Sequence, residues 1–217
     1  MEEIGRRIQL WLCQRLGLSW EEASALRREY LHQHGTTMGG LMAEHAVDVP
    51  DYLAFVHDIP IEEYLNPDPA LREMLKEIPL RKAVYTNATS AHAQRVLRAL
   101  GILNAFEGII GIEEVDLRNK FNRRAYERML ALLDVEGKAC VMVEDSPRNL
   151  PPAKAVGMTT ILIDGSRDGR DRETFEDVVD FVVEDILNVA PIVRRILTGD
   201  GLRHGPLAGD GEPPSGR

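Results

Sequence analysis

Ala139-Cys140-Val141-Met142-Val143-Glu144-Asp145-Ser146 is the stretch that decides the fold. An uninterrupted apolar run gives way at once to two carboxylates. A strand buried between two layers of helices needs apolar side chains on both faces, because neither face meets water. Similar runs recur on either side at Lys82-Ala83-Val84-Tyr85-Thr86, Gly108-Ile109-Ile110-Gly111-Ile112, Thr159-Thr160-Ile161-Leu162-Ile163 and Phe181-Val182-Val183. Between these runs apolar residues repeat at helical spacing. The spacing predicts helices over Ser90–Leu100, stopped by Gly101, over Arg123–Leu133, and over Pro152–Val156, stopped by Gly157. A last one carries Ile186, Val189, Ile192, Val193 and Ile196. Strands alternating with helices predict an α/β fold, a Rossmann-like parallel sheet with helices on both faces.

Upstream of residue 80 no strand pattern appears. Ile4, Ile8, Trp11, Leu12 and Leu16 share a helical face, and Gly17 is a stop. Ser19-Trp20-Glu21-Glu22 fits a capping box that opens a second helix ending at Gly35. Shorter helices are expected from Thr37 and from Pro50-Asp51, followed by Pro60, Pro67 and Pro69. The chain therefore divides into a mostly helical part, residues 1–75, and an α/β part, residues 76–197. Residues 198–217 are rich in Gly and Pro, poor in large apolar side chains, and expected to be disordered.

The bulk properties exclude several classes. Lys and Arg total 26 against 35 Asp and Glu, a net charge of -9, which disfavours nucleic acid and anionic membranes as partners. No apolar run reaches membrane-spanning length and the first residues are not a signal peptide, so a cytoplasmic protein is expected. Cys13 and Cys140 are too few and too far apart for a disulfide framework. The six histidines show no metal spacing with cysteine, and neither a Gly-x-Ser-x-Gly elbow nor a Gly-Lys-Ser/Thr phosphate loop is present.

Three features carry chemistry at the carboxyl ends of predicted strands, where α/β sheets place their sites. Thr86-Asn87 offers a hydroxyl and backbone N–H groups that can hold a phosphate oxygen, although an ordinary turn has the same composition. Lys120 can neutralise a transferring phosphoryl group, or it is a solvated surface charge. Glu144-Asp145 places two anions side by side, which calls for a cation between them, Mg²⁺ being the natural one. The alternative is an acidic pair capping a helix.

In this order the three features resemble the haloacid dehalogenase (HAD) superfamily. Val84-Tyr85-Thr86-Asn87-Ala88, Asn119-Lys120 and Val143-Glu144-Asp145-Ser146-Pro147-Arg148-Asn149-Leu150 look like its pyrimidine 5′-nucleotidase branch. His34-Gly35-Thr36-Thr37 resembles that branch's Tyr-Gly-Thr-Thr cap segment. The resemblance implies a HAD-like core beneath a helical cap that excludes water and selects the leaving group. It implies that Thr86 and Asn87 bind phosphoryl oxygens, that Lys120 bridges phosphate and nucleophile, and that Asp145, helped by Glu144, holds Mg²⁺. Gly35, Thr36 and Thr37 would touch the substrate, a small phosphorylated metabolite such as a nucleoside monophosphate. A monomer or homodimer is expected.

Two departures stand out. The family's attacking aspartate lies in an Asp-x-Asp motif on a first strand ahead of the cap; this chain contains no such motif. The expectation is a late start codon or a truncation, two strands each short of a ladder partner, and a chain that does not turn over substrate as written. Phe121 follows Lys120 where relatives usually carry proline. Alternatives to the nucleotidase are a non-catalytic phosphate-binding or interaction protein, and another HAD hydrolase acting on sugar phosphates or carbon–halogen bonds.

Overall fold

The computed structural model describes residues 2–165 and 175–199. Six helices precede the first strand: α1 (Glu2–Leu16), α2 (Trp20–His34), α3 (Thr37–Glu44), α4 (Val49–His57), α5 (Ile61–Tyr64) and α6 (Pro69–Glu77). Their starts follow the sequence. Ser19 and Glu22 form the reciprocal capping box of α2, Thr36 caps α3, Asp48 caps α4 and Asp68 caps α6. Each cap satisfies an N–H group that the first turn of a helix leaves without an internal acceptor. Gly35 ends α2 in the left-handed region at φ 76°, which only glycine enters without steric cost.

The α/β part follows: β1 (Ala83–Tyr85), α7 (Ser90–Ala99), β2 (Gly108–Ile110), α8 (Arg123–Leu133), β3 (Val141–Glu144), α9 (Leu150–Ala155), β4 (Thr159–Ile163), β5 (Phe181–Val183) and α10 (Val189–Thr198). All pairings are parallel, β1 with β2 and β3–β4–β5 in that order. The strands therefore form two separate sheets, and among the described residues no backbone ladder joins β1 to β3. Side chains nevertheless treat them as one layer. Tyr85, Ile110, Met142, Leu162 and Val182 enter one apolar cluster. Val84, Ile109, Val141, Val143, Ile161 and Val183 enter another. This is the strand period of two, shared across both sheets.

The two clusters place helices on both faces. The first joins Trp11, Leu12, Tyr30 and Leu41 of the helical part to Tyr126, Met129 and Leu130 of α8 and to Leu150 and Ala153 of α9. The second holds Met74 and Leu75 of α6, Leu97 of α7, and Val189, Ile192 and Val193 of α10. A divide after residue 75 would thus cut α6, which packs with the α/β elements. The Asp68 N–H donates to Leu100 O at 3.0 Å, Arg72 Nε donates to Gly101 O at 3.1 Å, and Arg194 pairs with Glu77. At the other end Thr198 still closes α10, one residue inside the stretch expected to be a disordered tail. Residues 200–217 lie outside the described residues.

The apolar run from Ala139 is shorter as a strand than its composition suggests. Residues Gly137–Ala139 form a 3₁₀ turn and pairing starts at Val141. Gly137 lies where an added Cβ would sit 1.9 Å from Val156 O, so the turn packs backbone to backbone against the end of α9. Both cysteines are free thiols.

Candidate functional site

The loop Asn119-Lys120-Phe121, between β2 and α8, ties three regions together. The Lys120 N–H donates to Asn87 Oδ1 at 2.9 Å, fastening the loop to the end of β1. Lys120 Nζ donates to Glu144 Oε2 at 2.7 Å, reaching the end of β3. Asn119 Nδ2 donates to His34 O at 2.7 Å and lies 3.4 Å from Thr36 Oγ1, reaching the turn between α2 and α3. Asn119 Oδ1 also accepts the Phe121 N–H at 3.0 Å, closing the loop on itself.

Lys120 and Glu144 form a buried pair, with side chains 11% and 5% exposed. Burial would raise the Glu144 pKa, but the Lys120 ammonium and hydrogen bonds outweigh it and hold this carboxyl below its usual range. Glu144 Oε1 also accepts the N–H groups of Asp145 and Ser146, each at 3.2 Å. Asp145 behaves oppositely: hydrogen bonding to Glu144, burial and repulsion by that neighbour raise its pKa. The one internal ammonium is paired with Glu144, which leaves Asp145 beside it short of positive charge. Among the described residues no group of three or more histidine, cysteine or acidic side chains is arranged to hold a metal. The donor set fits a hard ion of the Mg²⁺ kind, which takes one or two carboxylates and completes its shell with water and substrate oxygens.

Thr86 and Asn87 follow β1 directly. The Thr86 N–H extends the pairing to Ile110 O, and its Oγ1 accepts the Ala88 N–H at 3.0 Å. Tyr85, the last residue of β1, places its ring 5.2 Å from Lys120 Nζ and meets Tyr126 edge to face at 5.2 Å. The Tyr85 hydroxyl and Thr37 Oγ1 are buried and find no protein hydrogen-bond partner. Thr36 is spent on its own helix, accepting the Gly39 N–H at 2.9 Å.

Phe121 directly follows Lys120 and packs toward the turn between α2 and α3. Its ring lies against Gly35 so closely that a Cβ there would be 2.5 Å from Cδ2. The guanidinium of Arg148, shortly after the acidic pair, stands 5.6 Å from the ring centroid. The structure thus gathers Gly35, Thr36, Asn87, Lys120, Glu144 and Asp145 into one chain of contacts, with Thr86 beside them. Asn119 and Phe121 were not among the expected site residues. The only signal for Asn119 was its position before Lys120, and its role depends on a contact 85 residues away in sequence.

The loop is held under local constraint. Asp116 and Leu117 have φ of 58° and 60°, two successive left-handed residues without glycine. Such conformations cost on the order of 1–3 kcal/mol each and persist only where the surroundings impose them. Here the Leu117 N–H donates to Ile112 O at 2.9 Å, and Arg118 forms an ion pair with Asp116.

Comparison with known proteins agrees with the fold. A sequence model described as haloacid dehalogenase-like hydrolase matches residues 3–157. Phosphate metabolism protein 8 of Saccharomyces cerevisiae is 34% identical over 103 residues, covering 43% of this chain and 32% of that protein. The match thus spans about a third of that relative's length. A HAD phosphatase from Thermococcus onnurineus superposes with TM-score 0.54 at 21% identity, covering 90% of this chain and 88% of that one. A haloacid dehalogenase-like protein from Streptococcus pneumoniae superposes at 0.59 with 16% identity, covering 88% and 90%. The L-2-haloacid dehalogenase of Xanthobacter autotrophicus, with chloropropionic acid covalently bound, superposes at 0.54 with 18% identity, covering 88% and 84%. The match across residues 3–157, on a parallel α/β fold with these structural neighbours, places the chain in the haloacid dehalogenase-like hydrolase family.

Proposed function

We propose that this hydrolase is a Mg²⁺-dependent phosphomonoesterase acting on a small phosphorylated metabolite, with a nucleoside 5′-monophosphate of the pyrimidine series as the substrate class. The observation that carries the reading is Lys120, held by its backbone at Asn87 and by its ammonium at Glu144. One cation thereby stands between a hydroxyl-bearing turn and an acidic pair.

In this reading Thr86 and Asn87 hold phosphoryl oxygens, and Lys120 neutralises charge that builds on them. Glu144 fixes the ammonium, and Asp145 with Glu144 would hold the metal. A bound Mg²⁺ would supply charge neutralisation at the phosphoryl group. Helices α1 to α4 act as the cap. Gly35, Thr36 and Thr37 face the substrate from the cap side, and the Asn119 bonds to His34 and Thr36 hold that turn over the lysine loop. Attack on phosphorus in this family falls to the first aspartate of Asp-x-Asp, a motif this sequence does not contain. What its own residues do is bind and neutralise.

Calorimetric titration of the chain with inorganic phosphate, with and without Mg²⁺, tests the binding half. Binding that needs Mg²⁺ and is lost in Lys120→Ala and Asp145→Asn is expected; equal binding in all forms overturns the roles assigned. Phosphate release from cytidine and uridine 5′-monophosphate tests the activity, with this chain and with a form extended in frame upstream of Met1. No release by either form ends the phosphatase reading. The acidic pair argues against carbon–halogen chemistry, which has no phosphate charge to neutralise.

A further inference from the structure

Lys120 carries the charge on which the proposed function rests, and one hydrogen bond does not fix a lysine. A flexible four-carbon stem with rotatable donors lets the ammonium swing about a single acceptor. Among the described residues Glu144 Oε2 is the one hydrogen-bond acceptor that Nζ meets, at 2.7 Å. A second carboxylate there would hold the ammonium but cancel the positive charge that a phosphoryl group needs. The structure supplies a holder that adds no anion. The Tyr85 ring has Lys120 Nζ 5.2 Å from its centroid. An aromatic face attracts a cation within about 6 Å through its quadrupole. Among the described residues no other lysine stands over an aromatic ring.

The ring is itself held. It meets Tyr126 of α8 edge to face, with centroids 5.2 Å apart and planes at 84°, an arrangement that aromatic pairs favour. Tyr126 is fully buried, and its hydroxyl donates to Asn149 O at 2.7 Å. Asn149 ends the 3₁₀ turn Pro147–Asn149 that follows the acidic pair, and its side chain hydrogen-bonds Glu144. The contacts therefore close on themselves, from Lys120 to Tyr85, Tyr126, Asn149, Glu144 and back to Lys120. β1, α8 and the end of β3 each supply a part, so the ring cannot turn without disturbing its neighbours.

The Tyr85 hydroxyl takes no part in this. It is buried and has no protein hydrogen-bond partner. Burial, and then the negative charge of Glu144, push its pKa up, so the phenol stays neutral. What the ammonium uses is the face of the ring, and phenylalanine offers a similar face.

We propose that Tyr85 is a positioning residue: its ring face, braced by Tyr126, fixes the direction in which the Lys120 ammonium points, and with it the place where a phosphoryl oxygen is met. This role depends on the phosphate contact proposed for Lys120 above. Tyr85 itself touches no substrate and acts through the lysine. A tyrosine that only filled space in the core would leave the lysine indifferent to its aromatic character, and leucine would then hold the ammonium as well as phenylalanine does.

Two measurements on the full chain test the role. The first is NMR of the lysine ε-methylene protons. A ring current shifts protons over an aromatic face upfield, so the Lys120 methylene is expected upfield of those of the exposed Lys76 and Lys138, with Lys120→Arg assigning the signal. The shift should persist in Tyr85→Phe and vanish in Tyr85→Leu. The second is calorimetric titration with inorganic phosphate in the presence of Mg²⁺. Phosphate should bind Tyr85→Leu about tenfold more weakly than the wild type, the size of one partly desolvated cation–π contact, and Tyr85→Phe about as tightly as the wild type. A Lys120 methylene that resonates with the exposed lysines in the wild type overturns the proposal with no variant needed, which serves if Tyr85→Leu does not fold. Unchanged phosphate affinity in Tyr85→Leu overturns it by making the ring mere packing. Equal loss in Tyr85→Phe and Tyr85→Leu overturns it by making the hydroxyl the working group. Phosphate that binds no form removes the phosphatase assignment, and the methylene shift then decides alone whether the ring holds the ammonium.

Discussion

Lys120 and Glu144 are worth most to the molecule as a pair. Both are buried, so removing one leaves an uncompensated charge out of water. Glu144→Ala is expected to lower stability by about 3–5 kcal/mol in urea denaturation, the usual cost of breaking a buried ion pair. Lys120→Met combined with Glu144→Leu should cost less than Glu144→Ala alone, because no lone charge remains. A double variant as unstable as the sum of the two singles would show that packing, not charge, dominates there. Gly35 makes a second residue-scale case. Alanine there would have to hold φ near 76° and meet the Phe121 ring, so Gly35→Ala should cost at least ~1 kcal/mol. An unchanged melting temperature would contradict the close approach. Gly35 was readable as a helix stop, since glycine ending a helical run has a local cause. Its second task, making room for a ring that belongs to position 121, has no local trace.

Among the elements, the α2–α3 turn depends on a loop far away in sequence. Asn119→Ala removes the donor to His34 O and the acceptor for the Phe121 N–H. Faster amide exchange at Gly35, Thr36 and Phe121, with α10 unaffected, is the expected result; equal protection in wild type and variant would show that other contacts hold the turn. The α4–α7 contact carries a pH dependence. The pKa of His57 in the folded chain, about 4, lies below the ~6.5 of an unfolded chain, so folding favours the neutral ring. The stability it contributes is fully present above about pH 6.5 and falls as pH drops toward 4, by on the order of 3 kcal/mol at most. His92 adds to the loss in the same direction. Replacing both histidines by phenylalanine should flatten the stability curve between those pH values; an unaltered slope would place the acid sensitivity elsewhere.

For the whole molecule, the parallel α/β arrangement was legible because buried strands and amphipathic helices leave periodic patterns that do not depend on distant contacts. β4 and α8 match their expected bounds for that reason. Thr86, Lys120 and Glu144-Asp145 were legible as candidates because they follow strand ends. Asn119, Phe121 and the stacked His57 and His92 were not, since each acquires its role from residues tens of positions away. The division of the sheet also has a measurable side. Among the described residues β4 is paired on both edges, whereas β1 is paired only with β2. Hydrogen exchange should therefore protect Leu162 of β4 far more than the amides of β1. Equal protection would mean that β1 is covered by something other than a ladder.

A continuous ladder keeps neighbouring strands in step, because sliding by one residue turns every side chain to the wrong face. Among the described residues no ladder joins β1 to β3, and the two strands share the apolar clusters on either face. Register across that boundary rests on side chains rather than on backbone pairing. How far the tip of one plate stands from the tip of the other is then set by Lys120, pinned at Asn87 on one side and at Glu144 on the other. The lysine is the key that keeps both plates in alignment.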